Sequence, residues 1–205
     1  GTDIPANDRI APDNAALVWE TREGDKAPTL DYVGYSRNGY IVFKLGEATE
    51  GNAVVAARNG ATTLWSWHIW TTAAFDRNGI KVQTYETRPR NGLAPYADIT
   101  KREFKMMDRN LGAASGKATK VAEEAIKTYG VYFQFGRKDP FPAAGVMTRT
   151  NDADIVPVYD ANGNKILKNS NQIKNSAITT GIDQAAVKVQ LAYTVENPLM
   201  FITRD

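Results

Sequence analysis

The sequence predicts a β-rich α+β protein: antiparallel sheets built from hairpins, followed by a mixed α/β segment with one or two helices. Three observations carry that prediction. Five Asn-Gly pairs, at 38–39, 59–60, 78–79, 91–92 and 162–163, suit the positive φ angles of tight hairpin turns. Stretches of β type flank four of the five. Apolar residues at helical spacing occur over 121–129, in the second half of the chain.

Taken in order, "ALVWET" reads as the first strand. "LDYVGYS" leads through Asn38-Gly39 into "YIVFKL", and "NAVVAA" leads through Asn59-Gly60 into "TTLWSWHIWTT". After "FDRNG", the segment "IKVQTY" makes a sixth strand, so residues 1–87 are expected to form an antiparallel β region. Residues 88–205 read as an α+β region, either separate from the first or continuous with it. "ETRPRNGLAPYADITKRE" has two prolines, many charges and no long apolar run, which predicts a long loop. "FKMMDRNLGAASG" begins as a strand and passes into a Gly/Ala-rich loop. In "KATKVAEEAIKTYG", Val121, Ala122, Ala125, Ile126 and Tyr129 make one helical stripe. Ser115 or Thr119 is the expected cap of that helix, and Gly130 its stop. "VYFQFGR" predicts a strand ahead of Pro140 and Pro142, and "IVPVY" and "KIL" flank the hairpin turn "DANGN". A second helix is expected over 184–196, ended by Asn197-Pro198, with strand as its alternative because of the valines and threonine there.

Composition excludes several function classes. Across 205 residues, 25 Lys and Arg face 23 Asp and Glu, a net charge of +2. No concentrated basic stripe is present, which argues against nucleic-acid binding. The absence of cysteine rules out disulfides and thiolate metal sites. No segment approaches the roughly 20 apolar residues of a membrane-spanning helix. The opening "GTDIPANDRI" has no basic-then-apolar signal region, which fits a mature, a cytosolic or an excised chain alike. Asp152, Asp154 and Asp160 gather oxygen ligands, yet Asn171 stands where a calcium loop of the EF-hand type needs glutamate. No phosphate-binding loop or dinucleotide fingerprint appears. Neither metal nor cofactor is expected.

The segment "LWSWHIW" at 64–70 holds three of the four tryptophans. On a strand, Trp65, Trp67 and Ile69 share one face, and Leu64, Ser66, His68 and Trp70 share the other. The first face is wholly apolar and is expected to be core, so truncating Trp65 or Trp67 should cost about 3–5 kcal/mol. Trp70 is the ring best placed for a ligand, since an indole can stack and its N–H can donate. His68 is the sole histidine, which excludes a two-histidine metal centre. Its neighbour Ser66 forms no nucleophile elbow, so a hydrogen-bonded structural ring is the preferred reading over a general base. His68 and Trp70 nevertheless line the more polar face and are candidate ligand contacts.

Three segments, "GNAVVAARNGATTLWSWHIWTT" (51–72), "MMDRNLGAASG" (106–116) and "YGVYFQFGRKDPFP" (129–142), occur in that order. Together they resemble a domain of Bacteroidetes surface lipoproteins and fimbrillin-associated, pilus-tip-like proteins. "MDRNLGA" and "YFQFGRKDPF" are also similar to the Fibrobacter succinogenes major paralogous domain. The resemblance runs from about Val18 to "ENPLMFI" and implies a C-type-lectin-like fold. It further implies a cell-surface or extracellular location and adhesion through a glycan or a surface protein, with fimbrial subunits as further partners and no catalysis. Relatives continue into a Gly-Trp-Arg-Val-Pro-type motif and carry an extra leading strand, so the resemblance implies a fragment or a shortened variant.

No ligand-contact set transfers with the resemblance. The matched Asp108, Arg109 and Asn110, with Arg137, Lys138 and Asp139, read first as side chains that fasten backbone through charge-assisted bonds. If they meet a ligand, the expected site is where they converge with Trp70. Two alternatives stay open: a structural pilus or spacer domain with every tryptophan buried, and a glycan-active enzyme. The latter needs two carboxylates about 5–10 Å apart in a cleft.

Overall fold

Asn-Gly turns organise the N-terminal half, as their chemistry requires. The computed structural model describes residues 9–24, 26–72, 82–86, 103–117, 119–142, 158–166, 174–175 and 183–202. Strand β1 (Asn14–Glu23) is followed by the short β2 (Ala27–Pro28) and the hairpin of β3 (Leu30–Tyr35) with β4 (Ile41–Leu45). A second hairpin joins β5 (Gly51–Asn59) to β6 (Thr62–Thr71). Gly39 and Gly60 sit in these two turns at φ of 84° and 56°, backbone that glycine adopts without a Cβ clash. The Asp13 carboxylate accepts the Gly60 N–H and Asn14 Nδ2 donates to the Gly60 carbonyl, so the β5–β6 turn is also tied to the start of β1. The pairs at 78–79 and 91–92 lie outside the described residues, as do positions 87–102 of the predicted long loop.

Strands β7 (Val82–Glu86) and β8 (Glu103–Met107) pair antiparallel on either side of that loop. Helix α1 (Ala122–Ile126) is shorter than its apolar stripe suggests. Its N-cap is Val121, with no side-chain cap, so neither Ser115 nor Thr119 fills that position. Thr119 acts one step earlier: its hydroxyl accepts the Val121 N–H and donates to the Glu124 carboxylate. The "VYFQFGR" strand shrinks to β9 (Val131–Tyr132), because its partner β10 (Phe141–Pro142) is only two residues long. A proline there removes a ladder donor.

The hairpin of β11 (Val158–Tyr159) and β12 (Lys165–Ile166) closes over "DANGN" as expected. Asp160 accepts the N–H groups of Asn162 and Asn164, which closes the turn. After β13 (Lys174–Asn175) comes α2 (Gln184–Glu196), a helix and not a strand, followed by β14 (Phe201–Ile202). Asp183 caps α2 by accepting from Ala185 and Ala186 N–H, and this local reward outweighs the β-branched residues within it.

The protein is β-rich, and among the described residues its sheets are antiparallel except for the parallel pair β13–β14, with two helices. Its main sheet runs β12-β11-β1-β5-β6, with β2 paired to the end of β1. β11 and β12 come from beyond residue 87, so strands from both sides of that position share one sheet. One face carries Val18, Trp19, Val54, Ala56, Val158 and Ile166, packed with Leu199. The opposite face carries Leu30, Ala53 and Val55, with Leu17, Val33, Ile41 and Ile69 against them. Glu20 is buried beside this second cluster, where its carboxylate accepts the Leu30 N–H at 2.9 Å and Arg22 Nε at 3.0 Å. That bond fixes where the β3–β4 hairpin leaves β1.

Strand β6 ends the sheet order, and this position overturns the expected burial of its tryptophans. Trp65 and Trp67 do share a face with Ile69, since they pair with Ala57, Val55 and Ala53. Only Ile69 reaches the cluster under the β3–β4 hairpin. Trp65 is 40% exposed and Trp67 41%. The Trp65–Trp67 part of the apolar face of β6 therefore meets solvent, while Ser66 on the mixed face is 2% exposed. Core burial fails for both rings: among the described strands β6 stands at the end of the sheet order, and each ring keeps about two-fifths of its surface in water.

Candidate functional site

The interior of the mixed face is held by charge and hydroxyl groups. Ser66 lies opposite Ala56, a small neighbour, and its hydroxyl donates to Asp139 Oδ2 at 2.7 Å. Lys138 Nζ donates to Asp139 Oδ1 at 2.7 Å, to Ser66 Oγ at 2.7 Å and to the Ser66 carbonyl at 2.8 Å. Its three N–H bonds are thus all engaged. The same ammonium stands 4.7 Å from the Trp65 ring centroid. Ser66 Oγ and Trp65 project from opposite faces, so a group touching both must sit at the outer edge of β6. Lysine at a sheet edge blocks pairing with a foreign strand.

His68 continues the row. Its Nε2 is 2.9 Å from Asn52 Oδ1, and Asn52 Nδ2 donates to the Gly112 carbonyl at 3.0 Å. With the amide oriented by that carbonyl, Oδ1 is an acceptor and His68 Nε2 carries the proton. Burial pushes the His68 pKa down to about 4, with the Asp139 carboxylate opposing the shift. The ring is neutral at pH 7 and tilts against Trp19 at 6.5 Å between centroids. Gly112 is the counterpart this network needs: at φ of 79°, a Cβ there would come within 2.7 Å of Asn52 Oδ1 and of Val131. Trp70 pairs with Asn52 across the sheet, and its Nε1 is buried with no hydrogen-bond partner among the described residues. The donor expected to meet a ligand at Trp70 is turned inward.

Arg137 fastens backbone, as charge-assisted bonding predicts. Its guanidinium donates to the carbonyls of Asp139, Pro198 and Met200 and lies over the Phe141 ring at 3.9 Å. Burial lowers its pKa to about 10, against the opposing charge of Asp139, so it stays a cation at neutral pH. Gln134 reinforces the tie, donating to the Ile202 carbonyl and accepting the Ile202 N–H.

Asp108, Arg109 and Asn110 serve a different loop. Arg109 Nε pairs with Asp108 at 2.9 Å and Nη1 reaches the Ala114 carbonyl, while Asn110 Nδ2 donates to the Thr128 carbonyl. These residues line a cleft of about 640 Å³ together with Tyr85, Met106 and Met107. Asp108 is its one carboxylate among the described lining residues.

The six motif residues and Trp70 therefore do not form one site. Lys138 and Asp139 join Ser66 and His68 at β6, Arg137 turns to the C-terminal segment, and 108–110 shape a separate cleft. Sequence reasoning missed Asn52 and Gly112. A lone amide at the start of the apolar strand "NAVVAA" is the signal that marks the first. Trp65 and Trp67 enter as surface and not as core. Among the described residues no group of three His, Asp or Glu side chains is gathered as for a metal ion, and no helix is long and apolar enough to cross a membrane. Comparison of the chain with protein-family models, curated proteins and solved structures found no match.

Proposed function

We propose that this chain is a non-catalytic binding module of a cell-surface, adhesin-like protein of the fimbrial or lipoprotein type that its motifs resemble. One observation carries the binding reading: two tryptophans two residues apart on one strand face are both about two-fifths exposed. Leaving large apolar rings in water forgoes about 1.5–3 kcal/mol of burial each. A second partner that covers them recovers it.

The rival readings fit less well. A spacer domain calls for buried indoles, whereas Trp65 and Trp67 are accessible. An enzyme of the glycosidase type calls for two carboxylates in a cleft, and the described lining of the cleft at 108–110 offers one, paired with Arg109. Ser66, which has Lys138 and Asp139 at hand, is closed to substrate by its burial.

The test is binding of the intact chain to immobilised extracellular-matrix proteins and to a glycan array, compared with the Trp65→Ala/Trp67→Ala double variant. The reading expects at least one surface to bind the parent chain about tenfold more tightly, with the double variant shown by circular dichroism to keep its fold. Equal binding by both proteins, or no binding by either, refutes it. Acrylamide quenching of fluorescence reports the same rings: the parent should show an accessible fraction that the double variant lacks.

A further inference from the structure

We infer that the occupant of the β6 platform is a neutral glycan chain, laid along the strand with one sugar ring on each exposed indole. This rests on the reading of Trp65 and Trp67 as a binding surface and names its ligand class. Residues i and i+2 of a strand stand roughly 6.5–6.8 Å apart on one face. That spacing is on the scale of successive rings in an oligosaccharide. The indole face is electron-rich, and the C–H faces of a pyranose carry the complementary partial charge.

Charge around the platform argues for neutrality in the ligand. Lys138 lies against Trp65, and its donors are taken by Ser66 and Asp139. Asp139 in turn accepts from both Ser66 and Lys138, so the pair cancels and offers no free charge to a phosphate, a uronate or a basic peptide. Lys138 also steadies Trp65 by lying over one side of the ring. Trp65 still keeps 40% of its surface exposed, and a ring already held in place loses little freedom on binding.

Size points the same way. At two-fifths exposure, side chains of about 150–250 Å² each leave at most about 200 Å² between the two rings. A stable protein partner covers about 800 Å² per side. On its own the platform has the area of a sugar subsite.

Titration calorimetry of the whole chain with β-linked gluco- and manno-oligosaccharides of rising length tests the inference, with galacturonate oligomers as the charged control. Affinity is expected to rise about tenfold from the monosaccharide to the trisaccharide, as the second indole is engaged. Trp65→Ala and Trp67→Ala should each remove about tenfold, while added salt leaves affinity nearly unchanged. Preference for the charged oligomers, binding that survives both substitutions, or no binding to any neutral oligomer overturns it. In the last case, tryptophan-dependent binding to a matrix protein would show the platform standing and its ligand class wrong. Loss of both would sink the platform itself.

Discussion

Removing the Asp139 carboxylate tests the arrangement on which the site stands. Asp139 is 2% exposed and the Lys138 side chain 19% exposed, so both charges are largely out of water. In Asp139→Ala the ammonium keeps two neutral acceptors on Ser66 but loses its counter-charge, and the Ser66 hydroxyl loses its acceptor. Breaking one partner of a buried pair in this way costs about 3–5 kcal/mol. For a chain of this size that is roughly 6–20 °C in melting temperature. Urea denaturation read at constant m is the assay. Mutual dependence of the two charges has a second consequence. Lys138→Met/Asp139→Leu, which removes both charges and keeps the volume, should be clearly more stable than Asp139→Ala alone. A loss below about 1 kcal/mol for Asp139→Ala, or a double variant worse than the single one, would refute the claim that these charges depend on each other.

Four further outcomes follow from named contacts. His68 has its pKa lowered in the folded state, so the unfolded chain binds the extra proton first. Its contribution is full above about pH 6.5 and is lost as pH falls towards about 4, on the order of 2–3 kcal/mol. As the sole histidine it gives one unambiguous NMR titration, and a midpoint at or above the ordinary value of about 6.5 contradicts this. Arg137→Lys should loosen residues 198–202 and speed their amide exchange, because an ammonium cannot span three carbonyls as a planar fork does. Unchanged exchange there argues that the guanidinium is dispensable. Gly112→Ala should cost about 2 kcal/mol or more through a positive φ and a clash with Asn52, seen as a lowered denaturation midpoint. Lys138→Met should expose the β6 edge and give concentration-dependent self-association in light scattering; a strict monomer would show the edge needs no lysine.

The parts of the fold legible in the sequence are those set by local chemistry. The turn at Asn162-Gly163 and the span of α2 follow from residues within a few positions: Asp160 accepting from 162 and 164, Asp183 capping, Pro198 stopping. The strand alternation of "LWSWHIW" is local too, and it correctly sorts its residues onto two faces. Which face is inside is a non-local fact. It depends on β6 ending the sheet order and on the β3–β4 hairpin stopping short of Trp67, and neither is encoded near residue 66. Apolarity alone therefore placed Ile69 correctly against the core but not Trp65 and Trp67 on the same face. The pinning role of Arg137 was readable from its type, but its acceptors lie about sixty residues on, at Pro198 and Met200. The site was partly legible for the same reason: Lys138 and Asp139 stood out as a charged pair before a proline. Their partner Ser66 lies 72 and 73 residues away, out of reach of any spacing rule.

Lys138 joins the two halves of the argument. A surface tryptophan on a bare edge strand has two drawbacks: the edge invites foreign strands, and the ring is free to rotate away from a ligand. An apolar residue at 138 would worsen the first, and a glutamate would repel Asp139. A lysine bound at once to the Ser66 carbonyl, the Asp139 carboxylate and the Trp65 ring answers both with one side chain. Its charge is neutralised inside the protein, so it lends rigidity to the platform without lending it a field. A rigid, uncharged aromatic ledge suits a ligand recognised by shape and C–H surface. It suits poorly one recognised by charge.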